Sequence, residues 1–317
     1  MVKKIAFEEH FLTPGLIDYW SPTMADVDRK AAARLLGRLT DFGDMRLDAM
    51  NAAGIERAVL SVAGPGVQAE RDTVTACRVA AEANDVLATE IARQPGRYIG
   101  LGHLALQDAD FAARELERCV RELNFCGVLI NGHTNGQYLD DPSLSSFWER
   151  AAALGALVYL HPADPLIPAP VLDGHNALRR ATWEWGFETG SHALRLIFGG
   201  VFDRYPRARV VLGHLGETLP YLLWRLDSRA AFFGAQLAKP PSQYIRDHFL
   251  VTCSGMYSAE PLYCAITALG RDKVMFGADY PFEDSTAAGQ FIDTVPLDEG
   301  LRADVAWKNA ERVLGLA

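Results

Sequence analysis

The apolar residues of this chain form short runs that alternate with longer amphipathic stretches. Eight of these runs are rich in Val, Ile and Leu and have the length expected of β-strands. In the stretch 110–123, apolar residues recur at about 3.6-residue spacing, which predicts a helix. The predicted strands are residues 4–8, 57–62, 98–104, 127–131, 157–161, 209–214, 249–253 and 273–279.

Strands that are apolar on both faces and alternate with helices indicate a parallel sheet covered by helices. Eight such units favour a closed (β/α)8 TIM barrel, and a doubly wound open sheet is the alternative architecture. We expect one domain, residues 1–317, with insertions after strands 1 and 5. These insertions, residues 11–45 and 163–208, contain prolines and leave the same rim, so we expect them to be lids or subunit contacts.

Polar side chains occur where the predicted strands end. The carboxyl ends of barrel strands share one rim, where the active sites of TIM-barrel enzymes lie. Polar residues at these ends are therefore candidates for chemistry. They are Glu8, His10, Asn131, His161, His214 and Asp279.

Glu8 and His10 are two residues apart on the first strand, so their side chains are expected to face one point. One carboxylate and one imidazole suit a borderline divalent ion such as Zn²⁺ or Mn²⁺. A surface carboxylate beside a core histidine is the alternative interpretation. His161 ends an apolar strand before Pro162, which places another imidazole at the rim or, alternatively, in a buried hydrogen bond to backbone.

His214 follows an apolar strand and lies between glycines that permit a close approach. Glu217 comes three residues later and would orient the His214 ring if the chain turns into a helix. Asp279 directly follows an apolar strand, where a carboxylate is costly unless it is paired or binds metal. A helix N-cap is the alternative role for Asp279.

Together these residues predict a mononuclear metal site, and their motifs resemble those of the amidohydrolase superfamily. The resemblance is to its metal-dependent decarboxylases, especially the γ-resorcylate (2,6-dihydroxybenzoate) and 5-carboxyvanillate decarboxylases, and runs from about residue 5 to residue 317. Glu-x-His on the first strand, where typical hydrolases of the superfamily have His-x-His, favours a decarboxylase. The matching motifs include Glu8-Glu9-His10-Phe11, His161-Pro162, Gly213-His214-Leu215-Gly216-Glu217 and Asp279-Tyr280-Pro281-Phe282.

The resemblance implies roles for individual residues. It makes Asp279, His214 and Glu217 catalytic, and it implies one Mn²⁺ or Zn²⁺ per subunit with no organic cofactor. It also implies a homodimer or homotetramer, with the 11–45 segment at the contact and Arg29 reaching a neighbouring site. The metal ligands would be Glu8, His10, His161 and Asp279, and Arg225 would join Arg29 as a substrate-binding candidate. By position alone, His175 in the long insertion and the aromatics Tyr280 and Phe282 near a strand end are further substrate-binding candidates.

The predicted activity is non-oxidative decarboxylation of an ortho-hydroxybenzoate-type acid, which releases CO₂ and a phenol. The substrate stays open among γ-resorcylate, 2,3-dihydroxybenzoate and carboxyvanillate-like acids, because different motifs match different relatives. A metal-dependent hydrolase of an ester, lactone or amide on the same scaffold is the alternative, and a barrel that only binds small aromatics is a third. Other pocket candidates are Phe11, Trp20, Tyr257 and His133, whereas His103 is expected to pack in the core and His192 within a helix.

The amino-acid composition limits the classes of binding partner and the cellular location that we expect. With 31 basic and 40 acidic residues the formal charge is −9, which disfavours nucleic acid and anionic membranes as partners. The five cysteines have no CxxC spacing and no secretory signal is recognisable, so we expect reduced thiols and a cytoplasmic protein. A small acidic substrate remains compatible, since a divalent cation and an arginine would set the local charge at the rim.

Overall fold

A parallel β-sheet forms the centre of the computed structural model, which describes residues 1–316. The predicted domain, 1–317, extends one residue beyond this range. Within the described residues the sheet has nine strands, and every pairing between neighbours is parallel. The strands β1 to β9 are Lys4–Phe11, Ile55–Val62, Tyr98–Gly102, Gly127–Asn131, Leu157–His161, Arg209–Leu212, Phe249–Thr252, Val274–Met275 and Gly277–Tyr280.

The eighth barrel strand is split at Phe276 into β8 and β9. β8 pairs with β7, whereas β9 pairs with β1, so the eighth strand joins the last strand of the series to the first. The amide of Phe7 also donates a hydrogen bond to the Phe276 carbonyl at 3.0 Å. The ring of pairings therefore closes, and the (β/α)8 barrel prediction is confirmed in preference to the open sheet.

Helices follow the strands and cover the outside of the barrel. Short 3-10 turns lie in the connections at Pro14–Leu16, Ser21–Met24, Gly66–Ala69, Pro142–Leu144, Pro170–Leu172, Asn176–Leu178 and Arg180–Thr182, and a π-helical turn spans Asp304–Lys308. The helices α1 to α15 are Ile17–Trp20, Arg29–Leu39, Asp44–Ala53, Thr73–Arg93, Ala109–Arg121, Ser145–Leu154, Glu184–Phe198, Val201–Arg204, His214–Glu217, Leu219–Phe232, Pro241–His248, Ala259–Leu269, Ser285–Thr294, Glu299–Ala303 and Asn309–Leu314.

Several predicted boundaries differ from the structure. The first strand continues to Phe11 because a register shift between Ala6 and Glu9 lets pairing with β2 resume beyond Glu8. The sixth strand ends at Leu212, since residues 214–217 form the short, irregular α9 in place of further strand. The insertion predicted at 163–208 wrongly includes α7, whose buried face packs on the barrel as part of the helical layer.

The core has two layers, as expected when helices surround a barrel. Side chains such as Phe7, Leu129, Tyr159 and Val211 fill the barrel interior, and a larger layer lies between the strands and the helices. Leu129 and Tyr159 point inward, and strand alternation therefore directs residues two positions further on, Asn131 and His161, toward the interior at the carboxyl end. Among the described residues, no helix is both long and apolar enough to cross a membrane.

The interior layer generates a stability prediction. Leu129 is 1% exposed, so Leu129→Ala should leave a cavity and lower the free energy of unfolding by about 2–5 kcal/mol. Val74→Ala is the control, since Val74 is 76% exposed on α4 and its truncation should change that free energy by no more than about 0.5 kcal/mol. Urea denaturation followed by circular dichroism measures both. Equal effects of the two variants would contradict the assignment of Leu129 to the interior.

Candidate active site

Three predicted ligands meet at the carboxyl ends of β1 and β5. One ligand atom from each of Glu8, His10 and His161 lies within 4.8 Å of the others, and all three side chains are buried. Glu8 Oε1 and His10 Nε2 have no hydrogen-bond partner, although buried polar atoms normally have one. A carboxylate and two imidazoles with free ligand atoms fit a divalent ion such as Zn²⁺ or Mn²⁺.

Neighbouring groups orient these three side chains. His161 Nδ1 lies 2.9 Å from the Pro162 carbonyl, so Nδ1 carries the proton and Nε2 keeps its lone pair. Ser61 Oγ lies 3.4 Å from His10 Nδ1, and the Thr252 hydroxyl donates to Glu8 Oε2 at 3.4 Å. Such contacts fix ring and carboxylate orientation in metal sites.

Asp279, the fourth predicted ligand, lies at the edge of this cluster. Its Oδ1 is 3.4 Å from His10 Nε2, and its side chain is 15% exposed. It does not belong to the compact group formed by the other three ligands. The structure thus brings Asp279 against one ligand while leaving its carboxylate accessible from the rim.

His214 and Glu217 form a hydrogen-bonded pair beside the cluster. His214 Nδ1 lies 2.6 Å from Glu217 Oε1. The predicted contact is present, but the segment is no regular helix because Leu215 and Gly216 have positive φ. A Cβ at Gly255 would come within 3.1 Å of His214 Cδ2 and 3.7 Å of Asp279 Oδ2, so both side chains lie against the same glycine.

Left-handed backbone marks the site. Four non-glycine site residues have positive φ: Glu8 (56°), His214 (50°), Glu217 (52°) and Asp279 (56°). Such conformations cost of order 1–3 kcal/mol each and concentrate at functional positions. The glycine beside His214 has its own steric reason, because a Cβ at Gly213 would lie 2.6 Å from Glu8 Oε1.

Burial and neighbouring charges shift the pKa values of Glu8, His161 and His214. Burial raises the pKa of Glu8, and the nearby His214 opposes this shift. Burial also lowers the pKa of His161 well below its usual range, which keeps this ring neutral. Burial acts in the same direction on His214, but the carboxylates of Glu217 and Glu8 outweigh it and raise the pKa of His214 above its usual range. The site therefore combines a neutral imidazole suited to ligation with a second imidazole that holds a proton.

The predicted substrate-binding residues are distributed differently. The Phe282 ring is 5.6 Å from the His10 ring and 40% exposed, which suits the wall of an open pocket. Tyr280 is 3% exposed and its ring lies 4.6 Å from the Arg46 guanidinium, so it packs in the interior. Arg225 on α10, His175 in the β5–α7 connection and Arg29 at the start of α2 are exposed, and their role in substrate binding stays a prediction.

Three further histidines accept hydrogen bonds from backbone amides. His103 Nε2 accepts a hydrogen bond from the Val67 amide, and His192 Nε2 accepts one from the Leu139 amide. His133 Nδ1 likewise accepts from the Gly136 amide. Among the predicted pocket aromatics, Phe11 and Trp20 are buried in the outer core layer, and the Tyr257 hydroxyl donates to the Ala278 carbonyl at 2.9 Å.

Three residues that contact the ligands have no role predicted from the sequence. Ser61 and Thr252 end or nearly end apolar strands, which is the same signal that identified His161. Arg46 donates to the His10 carbonyl at 2.6 Å. Nothing local in the sequence marks this contact, because Arg46 lies on α3, far from His10 along the chain.

The fold and this cluster are those of the amidohydrolases, and the chain belongs to the amidohydrolase family, whose profile matches residues 17–316. The resemblance seen in the motifs is thereby confirmed. Among its relatives, the γ-resorcylate decarboxylase of Polaromonas sp. is 39% identical over 324 residues, which cover 99% of this chain and 98% of the relative.

Two solved structures are similar over nearly the whole chain. A dihydroxybenzoic acid decarboxylase from Polaromonas sp. JS666, with bound manganese and the inhibitor 2-nitroresorcinol, has a TM-score of 0.92 and 39% identity, covering 100% of this chain and 98% of that one. A 5-carboxyvanillate decarboxylase mutant from Novosphingobium aromaticivorans, with manganese and 3-methoxy-4-hydroxy-5-nitrobenzoic acid, has a TM-score of 0.92 and 33% identity, covering 98% and 97%. Related structures thus hold manganese, as the donor set here would allow.

The ligand cluster generates a metal-binding prediction. His161→Asn should weaken Mn²⁺ binding by about 100-fold or more, because it removes a directly coordinating imidazole. His248→Asn is a matched control, since both histidines are 7% exposed and place Nδ1 near a backbone carbonyl, at 2.9 Å and 3.0 Å. Electron paramagnetic resonance of titrated Mn²⁺ measures both dissociation constants. Equal affinities of His161→Asn and the wild type would exclude His161 as a ligand.

Proposed function

We propose that this chain is a metal-dependent, non-oxidative decarboxylase of ortho-hydroxybenzoate-type aromatic acids, acting through one domain, residues 1–317. The observation that carries the proposal is the buried Glu8–His10–His161 cluster with free ligand atoms beside Asp279. The named functions of the relatives supply the reaction class. In our proposal the metal ligands are Glu8, His10, His161 and Asp279.

The residues divide the work as follows. A divalent ion, Mn²⁺ or Zn²⁺, would supply Lewis acidity toward the phenolic and carboxylate oxygens of the substrate, and no organic cofactor is needed. Asp279 delivers a proton to the ring carbon that carries the carboxylate. The carbon–carbon bond then breaks, CO₂ leaves, and the bond electrons restore the aromatic ring. Asp279 recovers its proton from water through its exposed edge.

His214 and Glu217 hold charge and position beside Asp279. Glu217 orients the His214 ring through the 2.6 Å contact and favours its protonated form. A protonated imidazole donates a hydrogen bond to a substrate oxygen, which stabilises an anionic acid in the pocket. The Phe282 ring, next to His10, provides an apolar wall for a planar substrate.

Assembly and location form a second part of the proposal. We propose a homodimer or homotetramer, which would bring Arg29 of one subunit toward the site of another and cover Arg225 and His175. Large exposed aromatic side chains support such an interface: Trp183 (57%), Phe187 (64%), Tyr221 (83%) and Trp224 (77%). The five free cysteines support a cytoplasmic location.

A substrate panel tests the proposed function. Mn²⁺-loaded and Zn²⁺-loaded protein is incubated with 2,6-dihydroxybenzoate, 2,3-dihydroxybenzoate and 5-carboxyvanillate, with benzoate as the control that lacks the ortho hydroxyl. We expect CO₂ and the corresponding phenol from at least one hydroxybenzoate, and deuterium at the former carboxyl position in D₂O. Ester or lactone hydrolysis without CO₂ release would identify the hydrolase alternative instead. Aromatic-acid binding without turnover would identify a barrel that only binds.

Asp279→Asn tests the proton donor. The amide is isosteric but has no acidic proton to deliver, so kcat should fall by about 100-fold or more while the melting temperature stays close to that of the wild type. Asp284→Asn, at the exposed N-cap of α13 five residues later, is the control and should keep its activity. Steady-state kinetics and differential scanning fluorimetry measure the two quantities. Near-full activity of Asp279→Asn would show that the ring proton comes from elsewhere.

A further inference from the structure

A buried polar cluster lies directly behind the metal-binding strand. We define the Arg46 cluster as Arg46, Glu9 and Tyr280, whose exposed fractions are 0%, 1% and 3%. Arg46 Nε donates to the Asp41 carbonyl at 3.0 Å, and Nη2 donates to the His10 carbonyl at 2.6 Å. The guanidinium also lies 4.6 Å from the centre of the Tyr280 ring. Arg46 thus contacts both the first and the eighth barrel strands.

The position of this cluster relates it to the site. Glu9 of β1 and Tyr280 of β9 are register partners. Each directly follows a site residue with left-handed backbone, since Glu8 and Asp279 both have φ of 56°. The two strands therefore depart from regular geometry at the same level, immediately before the register pair Glu9–Tyr280, of which Tyr280 contacts the Arg46 guanidinium.

The cluster is poorly explained as a device for stability. Both Glu9 carboxylate oxygens, Arg46 Nη1 and the Tyr280 hydroxyl are buried without hydrogen-bond partners. Burying charged groups with incomplete pairing is costly, and well-packed apolar residues of similar volume are often at least as stable. What apolar residues could not provide is a donor to the His10 carbonyl together with a planar contact to Tyr280.

We propose that Arg46 is a positioning residue that sets the spacing between His10 on the first strand and Asp279 on the eighth. It acts from behind the barrel wall by binding the backbone of His10 and packing on the residue next to Asp279. One rigid guanidinium makes both contacts, so a displacement of either strand breaks at least one of them. This inference rests on the metal site of the proposed function.

The test compares Mn²⁺ affinity and stability in a set of variants. Arg46→Met removes the charge and both donors. Arg46→Lys keeps the charge but lacks the planar guanidinium, whose separate nitrogens bond the Asp41 and His10 carbonyls while its plane packs on Tyr280. Both should weaken Mn²⁺ binding by about tenfold or more, as loss of residues that orient ligands does in other metal sites. The dissociation constant comes from electron paramagnetic resonance, whose spectrum of bound Mn²⁺ should also change as the ligand spacing changes. Thermal denaturation of the metal-free protein measures stability.

A double variant separates positioning from stability. Arg46→Met with Glu9→Met replaces the unpartnered buried carboxyl group by an apolar side chain of similar volume, so it should regain stability relative to Arg46→Met while its Mn²⁺ affinity stays low. It also keeps the test decisive if Arg46→Met alone does not fold. Recovery of Mn²⁺ affinity in parallel with stability would overturn the proposal, because it would show that Arg46 acts only on the fold.

Lys4→Met is the matched control. Lys4 is also a fully buried cation attached to β1, but it pairs with Asp293 at 3.1 Å at the opposite end of the strand. It should lose stability and keep the Mn²⁺ dissociation constant within about twofold of the wild type. Equal losses of affinity in Lys4→Met and Arg46→Met would overturn the positioning role. Normal Mn²⁺ binding by all Arg46 variants would refute this inference alone, whereas absent binding by the wild type would refute the metal site itself.

Discussion

The site depends on the buried carboxylate of Glu8, whose charge the surrounding protein groups only partly compensate. Glu8 is fully buried, one of its oxygens has no partner, and two imidazoles face the same point. Burial of a carboxylate in this way is unfavourable unless it is protonated or meets a cation. A divalent ion satisfies the carboxylate and both imidazoles at once. Glu8 itself has left-handed backbone, and Gly213 lies so close to its carboxylate that a side chain there would clash with it.

Much of the fold followed from the order of apolar runs. Eight apolar segments separated by amphipathic ones defined the barrel, and polar residues at strand ends indicated the rim. Local departures from regular strand geometry could not be predicted from the sequence. The register shift before Glu9 and the break at Phe276 depend on pairing between strands that are distant in the sequence, and they have no periodic signature. The extent of the second insertion was overestimated because α7 is the fifth barrel helix and begins within it.

For the site, residue types and strand ends located Glu8, His10 and His161, and the short spacing located the His214–Glu217 pair. Two kinds of information were missing from the sequence. The first is contact between distant segments, as between Arg46 and the His10 carbonyl. The second is exposure, because nothing in the sequence distinguishes the buried Tyr280 from the half-exposed Phe282 two residues later. Arg225 and Arg29 are likewise exposed, which nothing in their local sequence distinguishes from burial.

The pairing of the first strand with the eighth, where the barrel closes, determines when the site can form during folding. Glu8 and His10 belong to the first strand, whereas Asp279 belongs to the half-strand that closes the ring against it. These groups meet only after nearly the whole chain has been synthesised and the last strand has docked. A metal ion bound by residues of both strands would then stabilise the pairing of the first and eighth strands, since its binding energy favours the closed barrel over any open form. An incompletely folded chain would lack the full set of ligands, so tight metal binding would be a property of the closed barrel alone.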